Sequence, residues 1–224
     1  MIAQNLHIMH NMRMKLGKLI VIDGVDGSGK STEILFLKKE LAKAGSSAIF
    51  TDEPGGTPKA EEIRKVLLGK TGAASTPRTD FFLFWAARAS HIEQLILPAL
   101  RAGRNVISDR FDSSTFAFQV CAEKHPELEV LFYECRKTIL SECIPNAYIF
   151  LDLPVDEAIA RRKNDRSKLA DSFDRKGREY HERVREGFRK FKPGEKSEVF
   201  LVDANRRPEQ VHKEVWSIVR RTLG

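Results

Sequence analysis

Residues 18–31 read KLIVIDGVDGSGKS, and this stretch decides the fold. Residues 18–23 form a compact aliphatic run stopped by Gly24, the pattern of a short buried strand. Residues 32–44 carry Leu35, Leu37 and Leu41 at helical periodicity and end at Gly45, a C-terminal stop. Between them lies Gly24-Val25-Asp26-Gly27-Ser28-Gly29-Lys30-Ser31, a complete G-x-x-x-x-G-K-S, with Thr32 directly after it. Glycines let consecutive backbone N–H groups turn inward around an anion, and the following helix adds its positive end. Lys30 is placed to reach the outer phosphates of a nucleoside triphosphate, and the Ser31 hydroxyl to ligate Mg²⁺. Pattern, preceding strand and following helix coincide, which makes the signal specific.

Working outward, residues 47–51, 105–108, 147–151 and 198–202 read as four further strands. Helical sequence separates them: near 59–68, roughly 78–102 with Pro98 interrupting or bending it, from 155, again to about 192, and from 208 to the end. Strands alternating with helices imply right-handed crossovers and an α/β three-layer sandwich, a five-stranded parallel sheet flanked by helices. Ligands of such a sheet gather at the carboxyl ends of its strands. Asp109 ends the third strand, where its carboxylate suits the same Mg²⁺, and Arg110 beside it is placed to hold a phosphate. Glu53-Pro54-Gly55-Gly56-Thr57 follows the second strand at the same end, and Arg64 on the next helix points back to it. Phe84 and Arg88, four residues apart, share a helix face and could stack on a planar base while donating to its carbonyl. Phe81, Phe82 and Trp85 read as core.

The chain of 224 residues suits one large domain. Its 42% hydrophobic and 31% charged residues, with 14 Gly and 9 Pro, exclude a collagen-like, low-complexity or wholly disordered chain. The apolar runs are far shorter than the ~20 residues of a membrane span, so a soluble protein without a membrane partner is expected. Residues 1–16 lack the apolar stretch of a secretory signal and read as a disordered N-terminal extension; residues 17–224 form the folded unit. Cys121, Cys135 and Cys143 form no C-x-x-C pair and read as buried free thiols, which suits a reducing, cytoplasmic setting. The net charge of +7 calls for an anionic partner, whether nucleic acid, membrane surface or phosphorylated small molecule, and composition does not choose among them.

The strings GVDGSGKST, EPGGT, FWAAR and DRFDSSTFAFQ, in this order and spacing, resemble the bacterial-type thymidylate kinases, P-loop nucleoside monophosphate kinases, from residue 18 to the C-terminus. That resemblance implies transfer of the γ-phosphoryl of ATP to dTMP with Mg²⁺, by a homodimer built through the long helices, with no nucleic-acid partner. It implies that Asp26 contacts the acceptor's 3′-hydroxyl, Phe84 stacks on thymine and Arg88 donates to its 4-carbonyl. Arg110, assisted by Arg64, would hold the acceptor phosphate, and Ser113, Ser114 and Gln119 would approach base and sugar. It also places a mobile helical lid at about 161–178, whose Arg161, Arg162 or Arg166 supplies the cation that the phosphate loop lacks. Two departures stand out: Asp52 replaces the arginine usual before EPGGT, and Phe118 stands where many members have tyrosine. At the lid's end, Ser172 replaces another arginine.

Overall fold

The computed structural model describes residues 16–68, 75–164 and 176–224. The lid residues 165–175, with Arg166 and Ser172, and residues 1–15 of the extension lie outside the described residues.

Five parallel strands form one sheet in the order β2-β3-β1-β4-β5: β1 (Leu19–Gly24), β2 (Ala48–Asp52), β3 (Asn105–Asp109), β4 (Ala147–Asp152) and β5 (Glu198–Asp203). Each observed strand lies within a residue or two of its expected position. β1 is central and buried on both faces, with Leu19, Ile20, Val21 and Ile22 at 0% exposure, so an uninterrupted aliphatic run suits it. Register aligns Ile22 with Asp109, Asp109 with Asp52, and Gly24 with Leu151. The ends of β1, β2 and β3 thus open on one side of the sheet. The helix α1 (Lys30–Lys43) starts two residues earlier than its apolar periodicity suggests, because Gly29, at φ 99°, turns the loop directly into it.

The helix α2 (Pro58–Leu68) and the helix α3 (Pro77–His91) pack side by side, and Arg64 of α2 and His91 of α3 hydrogen-bond Asp52 and Thr51 of β2. Thr76 caps α3 by accepting a hydrogen bond from the Thr79 N–H, and Pro77 fits its first turn. After His91 the chain continues through a π-helical segment, Ile92–Ile96, into α4 (Leu97–Arg101). Pro98 cannot donate to the carbonyl of Gln94 within that segment, which accounts for the local change of winding. Beyond β3 come the short α5 (Asp112–Thr115), a second π-helical segment (Phe116–Ala122) and α6 (Glu127–Leu140). Helix α7 (Val155–Asn164) follows β4, α8 (Arg178–Lys190) precedes β5, and α9 (Pro208–Leu223) closes the chain.

Phe81 and Trp85 are buried as expected, but Phe82 is 49% exposed. Residues four apart in a helix share a face, whereas the neighbour of Phe81 is turned about 100° away. Cys143 is buried while Cys121 and Cys135 are half-buried, and all three are free. Among the described residues, no helix is long and apolar enough to cross a membrane.

Candidate active site

The loop between β1 and α1 approaches the neighbouring backbone too closely for side chains. A Cβ on Gly24 would lie 2.6 Å from the Leu151 carbonyl oxygen, and one on Gly27 would lie 2.7 Å from that of Ala158. Both glycines also have positive φ, 142° and 84°, which their lack of Cβ permits. Lys30 folds back so that Nζ donates to the carbonyls of Gly24 and Val25, each at 3.0 Å, and sits 3.9 Å from Asp26. Its pKa falls from 10.5 to about 8, lowered first by burial and then by the nearby Arg110 cation, against the pull of three surrounding aspartates.

Two cavities adjoin at the carboxyl ends of the strands. The first is lined by Gly27 and Gly29 of the loop, by Lys30, Ser31 and Thr32 at the start of α1, by Asp52 and Asp109 at strand ends, and by Arg161 and Arg162 of α7. The second is lined by Phe84, Arg88, Phe111, Phe118 and Gln119 among others. Asp26, Glu53, Arg64 and Arg110 line both. Four charged side chains therefore form the junction, where groups from two ligands would meet. Gly24, Val25 and Ser28, also expected to bind the triphosphate, do not line the first cavity. Gly24 and Val25 also supply the carbonyls that hold Lys30, and the Ser28 side chain is buried within the loop.

Arg110 has φ 70°, unusual for a side-chain-bearing residue. Its Nη1 donates to Asp23 at 3.2 Å and to the Ser114 hydroxyl at 3.0 Å, while Nη2 donates to Asp26 at 2.5 Å. The Ser113 hydroxyl donates to Asp23 at 2.7 Å. Ser113 is fully buried and its hydroxyl holds Asp23, which in turn holds Arg110. Asp23 was not singled out from the sequence. Its carboxylate has no exposure, and burial raises its pKa against the pull of Arg110 and Lys30. Its place as the last side chain of β1 before the glycine was the only available signal.

Arg88 is 2% exposed. Nε donates to Glu53 at 2.8 Å, and Nη2 to the Phe111 carbonyl at 3.0 Å and the Thr115 hydroxyl at 3.1 Å. The other oxygen of Glu53 meets His91 Nδ1 at 3.0 Å, and His91 Nε2 lies 2.7 Å from the Thr51 hydroxyl. Glu53, expected as a ligand contact, thus orients Arg88; His91 and Thr115 complete a clamp that no sequence spacing revealed. Arg88 Nη1 is buried without a hydrogen-bond partner among the described residues. A buried N–H left unsatisfied is costly, and this one belongs to a residue lining an aromatic-walled cavity, as a donor awaiting a carbonyl would.

In the first cavity, Asp109 Oδ1 is buried without a hydrogen-bond partner among the described residues. With the Ser31 hydroxyl lining the same space, the pair suits a hard cation, Mg²⁺, completed by phosphate oxygens and water. Among the described residues, no group of three or more His, Cys, Asp or Glu could hold a metal alone. Arg162 has a side chain only 16% exposed, with Nη1 3.8 Å from Asp26, whereas Arg161 donates to the Ala204 carbonyl at 3.2 Å.

The family model for thymidylate kinase matches residues 22–215. The thymidylate kinase of Symbiobacterium thermophilum is 41% identical over 204 residues, covering 91% of this chain and 93% of that protein. That of Bdellovibrio bacteriovorus is 37% identical over 207 residues, covering 91% and 95%. That of Chlamydia felis is 41% identical over 170 residues, covering 75% and 81%.

Proposed function

Since the chain belongs to the thymidylate kinase family, we propose how its own residues carry the transfer of the γ-phosphoryl group of ATP to dTMP, giving dTDP and ADP. The observation that supports this reading best is the pair of adjoining cavities with charged groups at their junction. One is shaped by a phosphate loop; the other has aromatic walls and one buried, unspent donor.

ATP lies with its phosphates in the loop Gly24–Ser31, where Lys30 and the start of α1 neutralise them. Ser31 and Asp109 hold Mg²⁺, which supplies charge neutralisation at the phosphate oxygens. In the second cavity Phe84 stacks on thymine and Arg88 Nη1 donates to the 4-carbonyl. Cytosine presents an amino donor at that position, which would leave the buried N–H unpaired, so the site selects against it. Gln119 and Ser114 approach base and sugar, Asp26 accepts from the 3′-hydroxyl, and Phe118 crowds a ribose 2′-hydroxyl. Arg110 and Arg64 hold the acceptor phosphate.

An oxygen of that phosphate attacks the γ-phosphorus as the bond to the bridging β,γ oxygen breaks, and ADP departs with the electron pair. An ionised phosphate needs no general base, so catalysis reduces to in-line positioning and to cations around the equatorial oxygens. Arg162, which lies beside Asp26, or Arg166 supplies one such cation to the transferring group. The same reading makes residues 17–224 the kinase domain and the chain a cytoplasmic homodimer without a nucleic-acid partner. Phe82 of α3, at 49% exposure, is suited to an interface between copies.

A coupled assay with ATP and Mg²⁺ across dTMP, dUMP, UMP, dCMP, dGMP and thymidine tests the function. Turnover should be highest with dTMP, and preference for another acceptor would overturn the assignment. In the same assay Arg162→Ala should lower kcat by about 10³ or more. Near wild-type turnover in both Arg162→Ala and Arg166→Ala would remove the lid from the mechanism.

A further inference from the structure

Asp52 ends β2 and lines the triphosphate-side cavity, where a carboxylate is at first sight unfavourable. Its Oδ2 accepts from Arg64 Nη1 at 2.9 Å, and the same nitrogen donates to the Pro54 carbonyl at 2.6 Å. An Nη carries two hydrogens, so these two acceptors use both. The other fork of the guanidinium, Nε with Nη2, makes no hydrogen bond among the described residues, and Arg64 lines both cavities. A guanidinium anchored along one edge presents the other as a pre-formed bidentate donor for a phosphate.

We propose that Asp52 is a positioning residue: by anchoring Nη1 it fixes Arg64 at the junction with the Nε–Nη2 fork turned to the acceptor phosphate. This rests on the reading of Arg64 as a ligand of that phosphate. Two effects of the carboxylate oppose each other. Its charge repels the incoming phosphate, and its anchoring spares Arg64 the loss of rotamer freedom on binding. Arg64 and Asp52 have side chains 36% and 56% exposed, so water screens the repulsion. The hydrogen bonds that fix the fork are short-range and directional, and anchoring wins.

The test is a double-mutant cycle on the full chain, reading kcat and KM for dTMP and for ATP. Asp52→Ala should raise KM for dTMP about three- to fivefold, the scale of an exposed charge pair, and leave KM for ATP within about twofold. Asp52→Asn keeps an oxygen acceptor for Nη1 and should recover most of the loss; it is near-isosteric, which guards against misfolding of the alanine variant. In an Arg64→Ala background, Asp52→Ala should add nothing. An unchanged or lower KM for dTMP in Asp52→Ala, or the same penalty with and without Arg64, overturns the positioning role while leaving the kinase reading intact. If Arg64→Ala itself leaves KM for dTMP unchanged, the acceptor role of Arg64 falls and this inference falls with it.

Discussion

Lys30 carries the sharpest titration consequence at the scale of single residues. Its folded pKa, about 8, lies below the ordinary 10.5. Between those values the unfolded chain binds more protons at this group than the folded one, so its contribution makes stability rise with pH across that window. ATP reverses the balance, because phosphates beside the ammonium favour its charged form. Binding of ATP at pH 8 should therefore take up a fraction of a proton. Calorimetric titration in buffers of different ionisation enthalpy measures it, and heats that do not change with buffer would refute it. That a lysine belongs here was legible from G-x-x-x-x-G-K-S. Its depressed pKa was not, because desolvation and the charge of Arg110, eighty residues away, exist only after folding.

Among the elements, α8 and the π-helical segment Phe116–Ala122 meet at a contact with no spare room. A Cβ on Gly187 would lie 2.8 Å from the Ala117 Cα and 3.1 Å from the Cys121 Cβ. Helix propensity alone favours Gly187→Ala by up to about 1 kcal/mol. The added methyl meets backbone rather than the end of a flexible side chain, and overpacking of that kind costs about 1–3 kcal/mol. Gly187→Ala should thus be destabilised by about 1–2 kcal/mol in urea unfolding, and a gain in stability would show that the segments separate freely. The segment also carries Phe118 and Gln119 into the acceptor cavity, so a shift there should raise KM for dTMP. The sequence showed α8 as helical but not what it packs on: Phe188 and Phe191 meet Phe150 of β4, a partner set by chain topology.

For the whole molecule, the question is where the +7 charge is spent. Arg64, Arg88, Arg110, Arg161 and Arg162 all line the two cavities, which is an arrangement for two nucleotides. A ligand that binds only the folded chain stabilises it by about 2.7 kcal/mol at one hundred times its Kd. For a chain of this size, that is a rise in Tm of about 5–10 °C. Thermal unfolding with dTMP, and separately with ATP and Mg²⁺, should show rises of this order. An oligonucleotide giving the same rise at moderate salt would return the charge to a nucleic-acid role.

What the sequence determined by itself was whatever is local: the strand–loop–helix around Lys30, the five apolar strands, the acidic and basic residues at strand ends, and the family resemblance those strings carry. Lys30, Asp109, Arg110 and Phe84 could be named because adjacent residues or a single helical repeat define their setting. Only the tertiary structure decided partners. Asp23 meets Arg110 and Ser113, Glu53 meets Arg88 and His91, and Asp52 meets Arg64. The physical reason lies in the crossovers. They lay β3 beside β1 and bring α2 and α3 against the end of β2, so hydrogen-bonding groups tens of residues apart meet at distances no linear spacing encodes.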